Sequence, residues 1–287
     1  RPFRRTPGID GAHRYRQPTG GTMTARTLDR RAMPPSDPVV WRWRLAVAAA
    51  LVLAWEILGR SAQTLLLPSA SATAAALARL LVSAAFWRAL ASSHAALVLG
   101  FAAAAVLGVP LGLILGRRPV AARALAVQLD ALMVTPMSAV IPLVILAAGL
   151  SLWTRAFVVF AFAVPVIVVT VEAGARDVDP RLVEMARAFG ASPRQIARRV
   201  ILPAARPALL TALRLGLGRA FSGMVVSELV LMAAGIGGLI LRFQADFDAA
   251  SVYAVVVIVV GEAIVLMKTA SRIERRLAPW QPPGAAV

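Results

Sequence analysis

Few residues in this chain could carry chemistry, and most of those sit in apolar company. Its 287 residues include no cysteine and two histidines, so there is no disulfide framework, no thiol chemistry and no Cys/His metal site to build. A G-x-x-x-x-G-K-S/T phosphate loop is absent and the single lysine, Lys268, stands without the glycines, so nucleotide hydrolysis is expected on another chain. Ser222, in Phe221-Ser222-Gly223, lacks the glycine two positions earlier that a nucleophile elbow needs, and His94 is the one histidine inside an apolar block; no hydrolase is readable. What remains are ionisable groups within or beside apolar runs: Glu56, His94, Asp130, Glu172, Arg214, Arg219, Glu228 and Glu262. In lipid such groups are costly and serve proton relays, solute contacts or bonds between helices. Asp130 and Glu228 are the deepest acids and the candidates for a translocation pathway, although helix-to-helix bonding suits them better than contact with a solute. His94 reads as a packed polar residue.

Groups of this kind need a scaffold that only lipid permits. The chain is 59% hydrophobic and 16% charged with a mean hydropathy of +0.74, too apolar to hide its surface from water by folding on itself. Apolar blocks near 41–59, 89–116, 124–150, 155–175, 208–232 and 252–268 predict six membrane-spanning helices in an all-α protein. The interval 61–88 carries Leu77, Leu80, Leu81 and Ala84 at helical spacing and is expected to lie along the surface. The net charge of +17 is topogenic rather than a nucleic-acid footprint: residues 1–44, the 117–123 loop, the 176–206 loop and the tail hold 24 of the 31 basic residues, the opposite side five. Both termini are therefore expected in the cytoplasm. Residues 1–38, rich in Arg, Gly and Pro, read as a disordered polar extension, residues 39–280 as the membrane domain and 281–287 as a tail. Met23 shortly precedes the first block, so residues 1–22 are expected to be dispensable. No removable signal peptide is readable at the front.

The most informative stretch is 175–207, between the fourth and fifth blocks. Asp179 is an N-cap with Pro180 at the first helical position; Leu182, Val183, Met185, Ala186 and Phe189 are expected to form one apolar face, and Gly190 to end the helix in a left-handed turn. Ser192, Pro193 and Gln195 form a capping box that restarts the chain; Ile196 and Val200 share a face until Pro203 ends the run. Arg187, Arg194, Arg198 and Arg199 stud this pair of short helices, which suits docking on another protein or contact with anionic headgroups.

Glu184, Ala186, Gly190, Val200, Leu202 and Pro203 spell E-x-A-x3-G-x9-V-x-L-P. This resembles the EAA loop of the inner-membrane permeases of ATP-binding-cassette importers, with Met185 where a second Ala is usual and Val200 where Ile is usual; both keep an apolar side chain. The resemblance runs from about Leu67 to Trp280, through Leu67-Pro68-Ser69, Gly108 to Gly116, Pro136 to Leu146, Gly149 and Glu228, and is most like permeases of nitrate, sulfonate and taurine importers. It implies a type I importer permease (MetI-like) fold in the bacterial inner membrane and a homodimer of permeases. Further implied partners are a cytoplasmic ATPase dimer that carries ATP-Mg, a periplasmic or lipid-anchored solute-binding protein and membrane lipid, with no nucleic acid. This chain would hold no cofactor or metal and would not itself be an enzyme. Glu184, Ala186, Arg187, Gly190, Pro193, Val200, Leu202 and Pro203 would then couple the spans to the ATPase. The rival reading, a proton-coupled secondary transporter using Asp130, Glu228 and Glu262, lacks the internal repeat such proteins usually show and leaves the 184–203 spacing unexplained.

Overall fold

The computed structural model describes residues 38–61, 66–231 and 235–277, and every regular element among them is helical. The extension read over 1–38 lies outside these residues except for Pro38, which opens the first helix, and the tail at 281–287 lies outside them entirely. Two compact units divide at Leu51. In the first, residues 38–51 form the leading part of helix α1, Pro38–Ser61; all other described elements belong to the second.

Within the second unit α2 (Ala70–Leu81), α3 (Ala84–Arg117) and α6 (Leu152–Arg176) precede the polar loop, and α10 (Arg206–Leu231), α11 (Gly235–Ala245) and α12 (Ala249–Leu277) follow it. Four helices, α3, α6, α10 and α12, are each long and apolar enough to cross a bilayer alone. The predicted third span at 124–150 is broken within its length. It is a pair, α4 (Pro119–Val134) and α5 (Met137–Ala148), bent by 96°. The bend falls where Thr135 and Pro136 are extended, as a residue before proline is biased to be. Pro110, Pro142 and Pro165, by contrast, stay inside helices.

The interval 61–88, expected to lie along the surface, holds a helix that is not among the candidate spans. The helix runs only from Ala70 to Leu81, capped by Ser69, and α3 already begins at Ala84. One face of α2, Thr73, Ala76 and Leu80, is buried, and Ala76 and Leu80 share a cluster with Ile236, Ala254 and Val255 of α11 and α12. Glu56 fastens the end of α1 to the start of α2, accepting from the Ser71 backbone (2.9 Å) and hydroxyl (2.8 Å).

The core is the α3–α6–α10 sandwich. Along α3 the buried positions Leu97, Gly100, Ala104, Gly108 and Gly112 follow one another at intervals of three and four and turn one stripe toward α6. Small residues there let the backbones close up, since a Cβ at Gly112 would lie 2.7 Å from the carbonyl oxygen of Val168. Ile167, Ala212, Ala220 and Met224 complete the cluster from α6 and α10.

Candidate functional site

Two places gather the residues that the sequence singles out. The first is the loop between α6 and α10. Asp179 accepts a hydrogen bond from the Arg181 N–H (2.9 Å) and starts α7, Pro180–Ala188. The helix ends in a complete Schellman motif: the Ala191 N–H donates to the Ala186 carbonyl (3.0 Å) and the Gly190 N–H to that of Arg187 (2.9 Å). This requires Gly190 in the left-handed region, and its φ is 76°. The capping box also forms, with the Gln195 N–H donating to Ser192 Oγ (3.4 Å) and the Ser192 N–H to Gln195 Oε1 (2.8 Å).

After that box the structure departs from the expected helix. Helix α8 covers Pro193–Ile196, a π-helical turn takes Ala197–Ile201, and α9 adds Leu202–Ala204, so Pro203 sits inside the run rather than ending it. A single wide turn of this kind re-phases the side chains that follow it. Val183, Ile196 and Ile201 are thereby buried together with Val178 and Ala205, and Leu113 of α3 packs on the same cluster. Burial of such side chains contributes about 1.5–3 kcal/mol each, enough to make the loop a solid piece fixed to α3 and joined to α6 and α10.

The single apolar face expected for α7 is split in two. Val183 and Ala186 turn inward, while Leu182, Met185 and Phe189 are exposed, Phe189 by 84%. Positions 182, 185 and 189 share one side of a helix, so the loop presents an apolar ridge outward. Glu184, Arg187, Pro193, Leu202 and Pro203 are exposed as well, while Ala186 and Val200 pack at the edge of the small core. Glu184 lies beyond the first turn of α7, where the helix dipole has faded, and it has no hydrogen bond or ion pair among the described residues.

The second place is centred on Glu228, 1% exposed on α10. Its Oε1 accepts from Arg155 Nη1 of α6 (3.1 Å), and its Oε2 accepts from the Ser93 hydroxyl of α3 (2.8 Å) and the Gly237 N–H of α11 (3.2 Å). Ser93 Oγ in turn accepts from the Ile236 N–H (3.0 Å), and Arg155 Nη2 donates to Ser92 Oγ (2.9 Å). The start of α11 comes this close because Gly235 has a φ of 75° and a Cβ on Gly235 or Gly237 would strike Glu228 itself. One carboxylate thus joins four helices, and neither Arg155 nor α11 was readable from sequence in that role. Arg155, at the head of the 155–175 block, is itself buried.

Asp130, the other pathway candidate, is not brought to this place. It is exposed on α4 and has no hydrogen bond or ion pair among the described residues. The remaining intramembrane acids pair between or along helices: Glu262 with His94 (2.5 Å) and Glu172 with Arg176. At the end of α12, Glu274 holds Arg214 (2.7 Å) and accepts from the Thr211 hydroxyl (2.6 Å).

The family model described as "Binding-protein-dependent transport system inner membrane component" matches residues 108–279. The chain is 28% identical over 200 residues to the taurine transport system permease protein TauC of Escherichia coli (strain K12), covering 69% of this chain and 72% of that protein. It is 28% identical over 253 residues to the putative aliphatic sulfonates transport permease protein SsuC of Bacillus subtilis (strain 168), covering 88% and 92%. A chain of the MetNI methionine ABC transporter, solved in inward-facing conformations, aligns with a TM-score of 0.55 at 25% identity, over 67% of this chain and 94% of its own.

Proposed function

This chain belongs to the binding-protein-dependent transport system inner membrane components, and from that premise we propose how it is coupled and what it carries. Membership makes it a multi-pass permease subunit of an ATP-binding-cassette importer in the bacterial inner membrane, of the sulfonate and taurine type, a transport subunit rather than an enzyme, that works with an ATPase and a solute-binding protein. In our reading the loop at 181–202 is the handle by which the ATPase moves the spans. The observation that carries this is the ridge of Leu182, Met185 and Phe189, held outward by a cluster whose other side is Leu113 of α3. A stiff element with a bare apolar face fits a protein groove, and its core passes movement directly to the spans.

Glu184 and Arg187 supply charge beside that ridge, Gly190 and Pro193 set the angle between the two short helices, and Val200, Leu202 and Pro203 lead into α10. Two copies of this chain would form the pathway, with ATP-Mg bound by the partner ATPases. The solute is a small sulfonate or related anion, a reading supported by the kinship with TauC and SsuC. Replacing Glu184 by Arg, or Gly190 by Val, should leave membrane insertion intact and abolish both co-purification of the ATPase and stimulation of its turnover. Full retention of both in either variant would overturn the coupling role.

A further inference from the structure

The end of α3 and the coupling loop, whose Arg187 and Pro193 help to line it, together form a groove of about 470 Å³. Its floor is apolar, built from Ile114, Val183 and Ile201, and its rim is formed by Arg117, Arg118 and Arg187. Among the described residues no carboxylate lies within ion-pair distance of these three arginines. The groove is not an isolated dent. Leu107, Leu111, Ile114 and Arg118 follow one another at intervals of four, three and four, and all four are exposed, so an apolar track runs along α3 and ends at the basic rim. Since α3 is long and apolar enough to span a bilayer, in our reading that track would face acyl chains and the rim would stand at headgroup level on the arginine-rich side.

We propose that this groove binds one anionic phospholipid. Its acyl chains would follow Leu107, Leu111 and Ile114, and its phosphate would be held by Arg117, Arg118 and Arg187. Guanidinium groups suit this task because they donate bidentate, charge-assisted hydrogen bonds to phosphate. A basic pocket opening toward the membrane surface also selects anionic over zwitterionic headgroups. Since Arg187 belongs to α7 while Arg117 and Arg118 end α3, the bound lipid would bridge a span to the coupling element.

The test is native mass spectrometry of the delipidated complex of permease and ATPase, titrated with phosphatidylglycerol or phosphatidylcholine. We expect phosphatidylglycerol to bind at least tenfold more tightly than phosphatidylcholine, and unchanged binding in the presence of millimolar inorganic phosphate. The R117Q/R118Q double variant should bring the preference to within about twofold, the R117K/R118K variant should retain most of it, and R123Q, whose guanidinium bonds back to the Pro119 carbonyl outside the groove, should leave it intact. Equal binding of the two lipids overturns the proposal, as does a loss in R123Q as large as in R117Q/R118Q. A preference present in the isolated permease but absent once the ATPase is bound also overturns it, because the ATPase would then be the occupant.

Discussion

At the scale of single residues the structure turns on Glu228. A carboxylate this deeply buried is tolerated only because a guanidinium, a hydroxyl and a backbone N–H meet its two oxygens. Removing one member of such a pair strands the other, at a cost of about 3–5 kcal/mol, whereas removing both can be nearly neutral. Glu228→Gln should therefore lower the Tm of the purified permease by several degrees, and adding Arg155→Met should recover most of the loss. A double variant no more stable than the single one would show that the pair is not what matters. The sequence revealed Glu228 as a deep acid but not its partners, because Arg155 lies 73 residues away and Ser93 135 away. Pairing over such distances leaves no trace in local spacing. A basic residue heading an apolar block was the one available signal, and it also fits the head of an ordinary span.

At the scale of elements, what is local was legible. Asp179, Gly190 and the Ser192–Gln195 box fix helix ends through atoms no more than a few residues apart, and each does in the structure what its spacing implies. Which side of α7 faces inward was not legible, because apolar residues occur on both sides and only the tertiary cluster chooses between them. This yields a paired expectation: Met185→Ser should weaken ATPase binding at least tenfold with little change in the thermal stability of the permease, while Val183→Ser should destabilise the loop itself. Binding titration and differential scanning fluorimetry on the two variants separate these effects. The start of α12 supplies a pH-dependent example. The Ser251 hydroxyl donates to Asp248 (2.6 Å) and chiefly thereby holds its carboxyl below the ordinary value of 3.8, despite a partial opposing effect of burial; the Ser251 N–H (3.0 Å) and Arg79 act in the same direction as the hydroxyl. Folded-state depression means that the stabilising contribution is complete above the unfolded carboxylate's value and fades as the pH falls through the lower folded one. Hydrogen exchange at Val252 and Tyr253 should accordingly show fraying of this turn only below about pH 4, and Asp248→Asn should remove that pH dependence.

At the scale of the whole molecule, composition and charge asymmetry were enough to establish an all-helical membrane protein, since neither depends on knowing which side chains meet. Pro136 and Pro142 mark interruptions in one apolar run, but which of them bends the chain was not legible, and only Pro136 falls at the break between α4 and α5. For the transport cycle we expect uptake into vesicles to require ATP and the solute-binding protein and to survive collapse of the proton gradient; uptake driven by the gradient alone would return the intramembrane acids to the role of proton carriers. The clasp at Glu228 bears on how that cycle can run. Fastened at a single point, α3, α6, α10 and α11 should travel as one panel, so the hinges of alternating access belong at the seams around it, with the sparsely held α4 and α5 as the leaf that swings.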